Sequence, residues 1–138
     1  MSLFWLGCSY LLPPTWRTFR ADPDDAAPSI ARALAAQQLR VDRWNQVDHS
    51  IVSRYLSSKK GEENIRERYI VRWERSNDGT LAIFVRHERQ TKVIEDGVAK
   101  WDGAKHDPEK EADLLEAITR ELEQLQRPVA DVRAASRR

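Results

Sequence analysis

The chain has 138 residues, with 23 Lys and Arg against 22 Asp and Glu, for a formal net charge of +1. That length is enough for one domain with a real core, and the balanced charge gives the whole chain no bias toward nucleic acid or an anionic membrane surface. No apolar run approaches the ~20 residues needed to span a bilayer, and a lone cysteine, Cys8, excludes an internal disulfide framework.

Residues 1–14 form an apolar segment and a spacer. Leu3, Phe4, Trp5, Leu6, Tyr10, Leu11 and Leu12 surround Gly7-Cys8-Ser9, and Pro13-Pro14 cannot extend a helix. A single domain is expected over residues 15–127. Thr15 to Arg20 alternates around Trp16 and Phe19 and predicts a short strand. Asp22-Pro23-Asp24-Asp25 opens a helix near Asp25, because acidic side chains suit a helix N-terminus and Pro28 is tolerated in a first turn. Ala27, Ile30, Ala31 and Leu34 form its apolar stripe, continued by Gln38 or Leu39. Val41 to Trp44 predicts a short strand, Asn45 to His49 a turn, and Ile51 to Leu56 the next strand. The buried face of that strand is open, since Ile51 and Tyr55 compete with Val52 and Leu56. Ser57 to Asn64 is expected as a solvated hairpin loop.

The central stretch, Arg66 to Val93, predicts an antiparallel hairpin: aromatic and β-branched residues flank Asn77-Asp78-Gly79. Tyr69, Val71 and Trp73 oppose Leu81, Ile83 and Val85 on one face only if Ser76 pairs with Thr80. A two-residue Asp78-Gly79 turn would slip the register and bring Arg72 and Glu74 opposite Val85 and Ile83. The other face carries Arg68, Ile70, Arg72, Ala82, Phe84, Arg86 and Glu88. The second strand is expected to run through Thr91 and Val93 to a turn at Glu95-Asp96-Gly97, with Val98 to Trp101 pairing back. A final helix starts at Asp107-Pro108, with Ala112, Leu115, Ile118, Leu122 and Leu125 on one face, and is expected to stop at Pro128. Residues 128–138 read as a flexible basic tail. The fold expected is therefore α+β: an antiparallel sheet of four to five strands, with helices near Asp25–Leu39 and Pro108–Gln126 packed on one face.

Chemistry-bearing motifs are scarce. His49, His87 and His106 stand far apart in sequence, with no second His or Cys at ligand spacing, and His87 reads as a strand-end or surface residue. No glycine-rich phosphate loop, nucleophile elbow or Cys-His pair is present. No catalytic residue, metal or cofactor is expected. Arg54, Arg66, Arg68, Arg72, Arg75, Arg86, Arg89 and Lys92 cluster on the sheet with Tyr55, Tyr69, Trp73 and Phe84, a mixture that suits nucleic acid. Because Tyr69 and Trp73 share a face with aliphatics, only Phe84 is expected to remain as a stacking ring. Glu67, Glu74 and Glu88 suggest cross-strand ion pairs instead.

Leu6-Gly7-Cys8 resembles the end of a bacterial lipoprotein signal, without the usual basic front and with a short apolar region. Two readings stay open: a start placed downstream of the true one, or an ordinary segment containing a cysteine. The same Leu6-Gly7-Cys8-Ser9, the helix from Ile30 to Leu39, Tyr69-x-Val71-x-Trp73 followed by Asp78-Gly79-Thr80-x-Ala82-x-Phe84, and the helix from Glu111 to Leu125 together resemble the helix-grip domain of bacterial envelope lipoproteins, the type found in BamC of the outer-membrane β-barrel assembly machinery. This chain has a single small domain where that type carries two. The resemblance implies a non-enzymatic domain held on the periplasmic face of the outer membrane by lipid on Cys8, with an envelope protein as partner. Arg68, Ile70, Arg72, Phe84 and Arg86 are the partner-binding residues expected, an apolar centre with a charged rim. The alternative is a soluble cytoplasmic module that uses its Arg-rich sheet face on nucleic acid or another polyanion.

Overall fold

The computed structural model describes residues 14–136; Cys8 lies outside them. The element order is β1 (Thr15–Phe19), a 3-10 turn (Pro23–Asp25), α1 (Ala26–Ala36), β2 (Val41–Asn45), β3 (Ser50–Ser53), β4 (Leu56–Lys60), β5 (Glu63–Arg75), β6 (Leu81–Glu95), β7 (Val98–Lys105) and α2 (Pro108–Ser136). The fold is α+β, with both helices on one face of an antiparallel sheet.

The β5–β6 hairpin is the spine, and its register follows from side-chain alternation. Val71 lies opposite Val85, Trp73 opposite Ile83 and Arg75 opposite Leu81. Ser76 and Thr80 close the loop: the Ser76 N–H donates to Thr80 O (2.8 Å) and the Gly79 N–H to Ser76 O (3.0 Å). Gly79 sits at φ 84°, a left-handed conformation that glycine adopts without a Cβ clash. The face so formed is buried, and Ile30, Ala33 and Leu34 of α1 and Leu114, Leu115, Ile118 and Leu122 of α2 complete the core against it.

Each spine strand is longer than the layer that covers it. The half near the Asn77-Asp78-Gly79 loop is flanked by β1 beside β6 and by β3 then β2 beside β5, and the helices cover this half. The far half is flanked by β4 and β7. There the sheet continues as a four-stranded arm in which β4 is exposed along its length. The arm ends in two tight turns, one at Gly61-Glu62 and one at Asp96-Gly97. Asp96 and Gly97 both take positive φ (51° and 75°), the pattern of a two-residue turn whose twist matches the flanking strands.

Three expectations are corrected. Among the described residues the sheet has seven strands rather than four to five, because a break at Arg54-Tyr55 divides the expected strand at Ile51–Leu56 into β3 and β4, and the expected loop at Ser57–Asn64 is itself mostly strand. Lys60 pairs with Glu63 across the turn, leaving only Gly61 and Glu62 to reverse the chain. The last helix runs through Pro128 to Ser136 instead of stopping there, so the basic tail is helical as far as that residue. Proline inside a helix removes one hydrogen bond and costs about 3 kcal/mol, but the Ala-rich residues after it are strong helix formers. Finally, His87 is buried rather than at the surface.

Candidate functional site

The outer face of the sheet, away from the helices, gathers the residues expected to bind a partner. Even-numbered residues of β5 and β6 point outward, so Arg68, Ile70 and Arg72 lie beside Phe84, Arg86 and Glu88. Ile70, Arg72, Phe84 and Arg86 line one shallow groove of about 170 Å³ together with Pro14. Arg68 stands just outside it: its Nε donates to Glu88 Oε1 at 3.0 Å. Ala82 belongs to this face by alternation yet is buried, being small and set between Thr18 and Glu74 on the neighbouring strands.

Three aromatic residues join the face that the sequence did not assign to it. Trp16 of β1 pairs with Phe84 and stacks on its ring (centroids 5.7 Å apart, planes at 28°) while staying 55% exposed. Tyr55, at the break between β3 and β4, and Trp101 of β7 flank Arg66, whose guanidinium lies 4.0 Å from the first ring and 4.4 Å from the second. The Arg66 Nε also donates to Gln90 Oε1 (2.7 Å), and Arg68 lies 4.6 Å from the Tyr55 ring. Phe84 is therefore not the sole ring on this face. The face has two parts: the groove of Ile70, Arg72, Phe84 and Arg86 with the Trp16–Phe84 stack beside it, and a row of rings alternating with arginines toward the arm. The strand β1 neighbour of β6 comes from far along the chain, so no local pattern could have placed Trp16 there.

A second polar cluster lies on the inner face where α2 begins. Asp107 caps the helix by accepting from the Glu109 N–H at 3.0 Å. Its own N–H donates to His87 Nδ1 (3.1 Å), so the His87 proton is on Nε2, which donates to Glu67 Oε1 (2.9 Å). Lys110 Nζ reaches the same Glu67 oxygen at 2.7 Å. Glu111, buried, accepts from the His87 N–H (2.8 Å) and from Thr15 Oγ1 (2.6 Å). Its carboxylate also lies 3.3 Å from His106 Nδ1, without the alignment that a hydrogen bond needs. Burial holds the His87 pKa below its usual 6.5, against the pull of Glu67. Burial pushes the Glu67 carboxyl up, but its bonds to Lys110 and His87 outweigh this and leave it below 4.5. Burial, followed by the Glu67 charge, pushes the Tyr69 phenol up to about 12. The His87 ring is committed at both nitrogens, which makes the cluster a tie between α2, β1 and the spine.

Among the described residues no three His, Cys, Asp or Glu side chains are grouped as a metal site requires. No described helix is long and apolar enough to cross a membrane. No family model matches the chain. No curated protein matches it either.

Proposed function

We propose that the chain is a non-enzymatic binding domain that docks an envelope protein on its outer sheet face, held at the periplasmic side of the outer membrane by lipid on Cys8. The observation that carries the docking surface is Trp16 stacked on Phe84 yet 55% exposed, beside Ile70 and framed by Arg68, Arg72, Arg86 and Glu88. An exposed indole stacked on a ring that lines a groove of mixed apolar and cationic residues is the composition of an interface anchor: buried rings supply binding energy, and rim charges set orientation and on-rate. The membrane part of the reading rests on the resemblance of Leu6-Gly7-Cys8-Ser9 to a lipoprotein signal. Two or more acyl chains on that cysteine give a stable anchor at ~0.8 kcal/mol per buried methylene.

Crosslinking tests the docking surface. A photo-reactive residue in place of Trp16 should give a discrete adduct in envelope fractions, while the same group in place of Arg120 on α2 should not. Metabolic labelling with palmitate tests the anchor, and Cys8→Ala should abolish the label.

A second reading is favoured by the Tyr55–Arg66–Trp101 row, since alternating rings and guanidinium groups can stack bases and neutralise phosphates. It predicts binding to labelled single-stranded RNA that weakens steeply with salt. Micromolar binding at physiological salt, lost in Arg66→Ala and Arg72→Ala, together with no adduct at position 16, would replace the first reading with this one.

A further inference from the structure

The edge of the sheet beside the start of α1 holds a cavity that neither reading uses. It has a volume of about 220 Å³ and is lined by Pro23, Asp24, Ala27, Trp44, Gln46, His49 and Trp73. The His49 ring stacks parallel on Trp73 (5.7 Å, 8°). Trp44, on the edge strand β2, is 50% exposed. We propose that this cavity binds a small organic cation of the quaternary-ammonium class, with the exposed Trp44 and His49 rings as walls, Trp73 backing the His49 ring, and Asp24 as counter-ion.

Three observations select that class. First, aromatic faces carry the negative lobe of a quadrupole and attract a cation placed over them, most strongly for indole. Second, the charged group of the lining is the carboxylate of Asp24. Among the described residues it makes no hydrogen bond or ion pair, and no Lys or Arg lines the cavity. A helix N-terminus ordinarily favours an anion, but here Asp22, Asp24 and Asp25 already supply negative charge to that turn. Third, at about 220 Å³ the cavity is smaller than the ~300–1,000 Å³ of sites for drug-sized ligands, which suits a headgroup.

The walls are also held in place before any ligand arrives. Asn45 Oδ1 accepts from the N–H groups of Val47 (2.9 Å) and Asp48 (3.0 Å), and Asn45 Nδ2 donates to Asp48 Oδ2 (2.9 Å). This turn carries the chain from Trp44 to His49, which takes a left-handed φ of 52°. The His49 carbonyl accepts from the Trp73 N–H (3.0 Å), fixing the turn to the spine. Pre-organised walls lower the ordering cost of binding.

Calorimetry on the purified full chain tests the proposal with choline, its uncharged isostere 3,3-dimethylbutan-1-ol, and an N-acetylglucosamine oligomer. Choline should bind saturably and the isostere at least five-fold more weakly. Trp44→Ala and Asp24→Asn should each weaken choline five-fold or more, with Trp44→Phe recovering most of the loss and thermal melts unchanged. Sedimentation with phosphatidylcholine or phosphatidylglycerol vesicles separates the sources. Trp44-dependent binding to the first alone assigns the cation to a lipid headgroup; binding of free choline without it assigns a soluble ligand. Equal affinity for choline and the isostere, binding of the saccharide alone, or no response to either choline or phosphatidylcholine overturns the proposal.

Discussion

Trp73 brings together two roles that sequence alone separates. Its inward face is core, 7% exposed against Ile83, and its ring is also the platform on which His49 lies. Trp73→Ala should cost ~3–5 kcal/mol in a urea melt, as large-to-small core changes do, and a loss under 1 kcal/mol would contradict the packing described. His87 makes a prediction of another kind. Its folded pKa lies below 6.5, so in acid the unfolded chain takes up a proton that the native chain resists. Stability is then fully present above pH 6.5 and declines as pH falls through that value toward the lower folded pKa. Glu67, also depressed, has the same sign lower down: its contribution is present above pH 4.5 and is lost on further acidification. Urea melts from pH 7.5 to 5 should show a falling midpoint, and His87→Gln should flatten the slope between pH 6.5 and 5.

At the scale of elements, Glu111 is the joint. One carboxylate on the first turn of α2 holds the Thr15 hydroxyl of β1 and the His87 N–H of β6. Glu111→Ala leaves a buried N–H unpaired and should cost ~1.5–3 kcal/mol, while Glu111→Gln, which keeps an acceptor, should cost less; thermal denaturation decides. This joint was not legible in the sequence, where Glu111 reads as a favourable charge on a helix start. The spine was legible, because alternation from Tyr69 to Trp73 and from Leu81 to Val85 admits one register around Asn77-Asp78-Gly79. So were both helix starts, which rest on local chemistry: Asp22 accepts from the Asp24 N–H to cap the 3-10 turn that leads into α1, and Asp107 accepts from the Glu109 N–H at the start of α2. The division at Arg54-Tyr55 was hidden, since neither residue is a breaker. On the outer face Ile70, Arg72, Phe84 and Arg86 could be grouped from period-two spacing within one hairpin. Trp16 and Trp101 could not, because strand neighbours from distant parts of the chain leave no local trace.

For the whole molecule, the two halves of the sheet should differ in stability. The covered half has apolar layers on its inner face, whereas in the arm Leu56, Ile94 and Val98 are all more than half exposed. Amide exchange should be fastest in β4 and β7 and slowest in Tyr69–Trp73 and Leu81–Val85, since local opening requires little surface to be uncovered in the arm. Uniform protection along β5 and β6 would show that the arm is as firmly held as the body.

The position of β1 carries a consequence for the order of folding. The first strand of the domain pairs with β6, so it has no place to dock until most of the chain is available, whereas the spine joins two strands across three residues. Closing a short loop comes early and a long one late, because the chain entropy lost grows with the span enclosed. Folding should therefore begin in the hairpin, with Thr15–Phe19 added after the rate-limiting barrier. Conservative truncations at Val71 and Ile83 should slow folding, with φ-values above 0.5. Phe19→Leu should mainly speed unfolding, with a φ-value near zero. While β1 is undocked, the outward-facing ring of Phe84 lacks its indole cover, and the nascent domain is then most prone to associate with other chains.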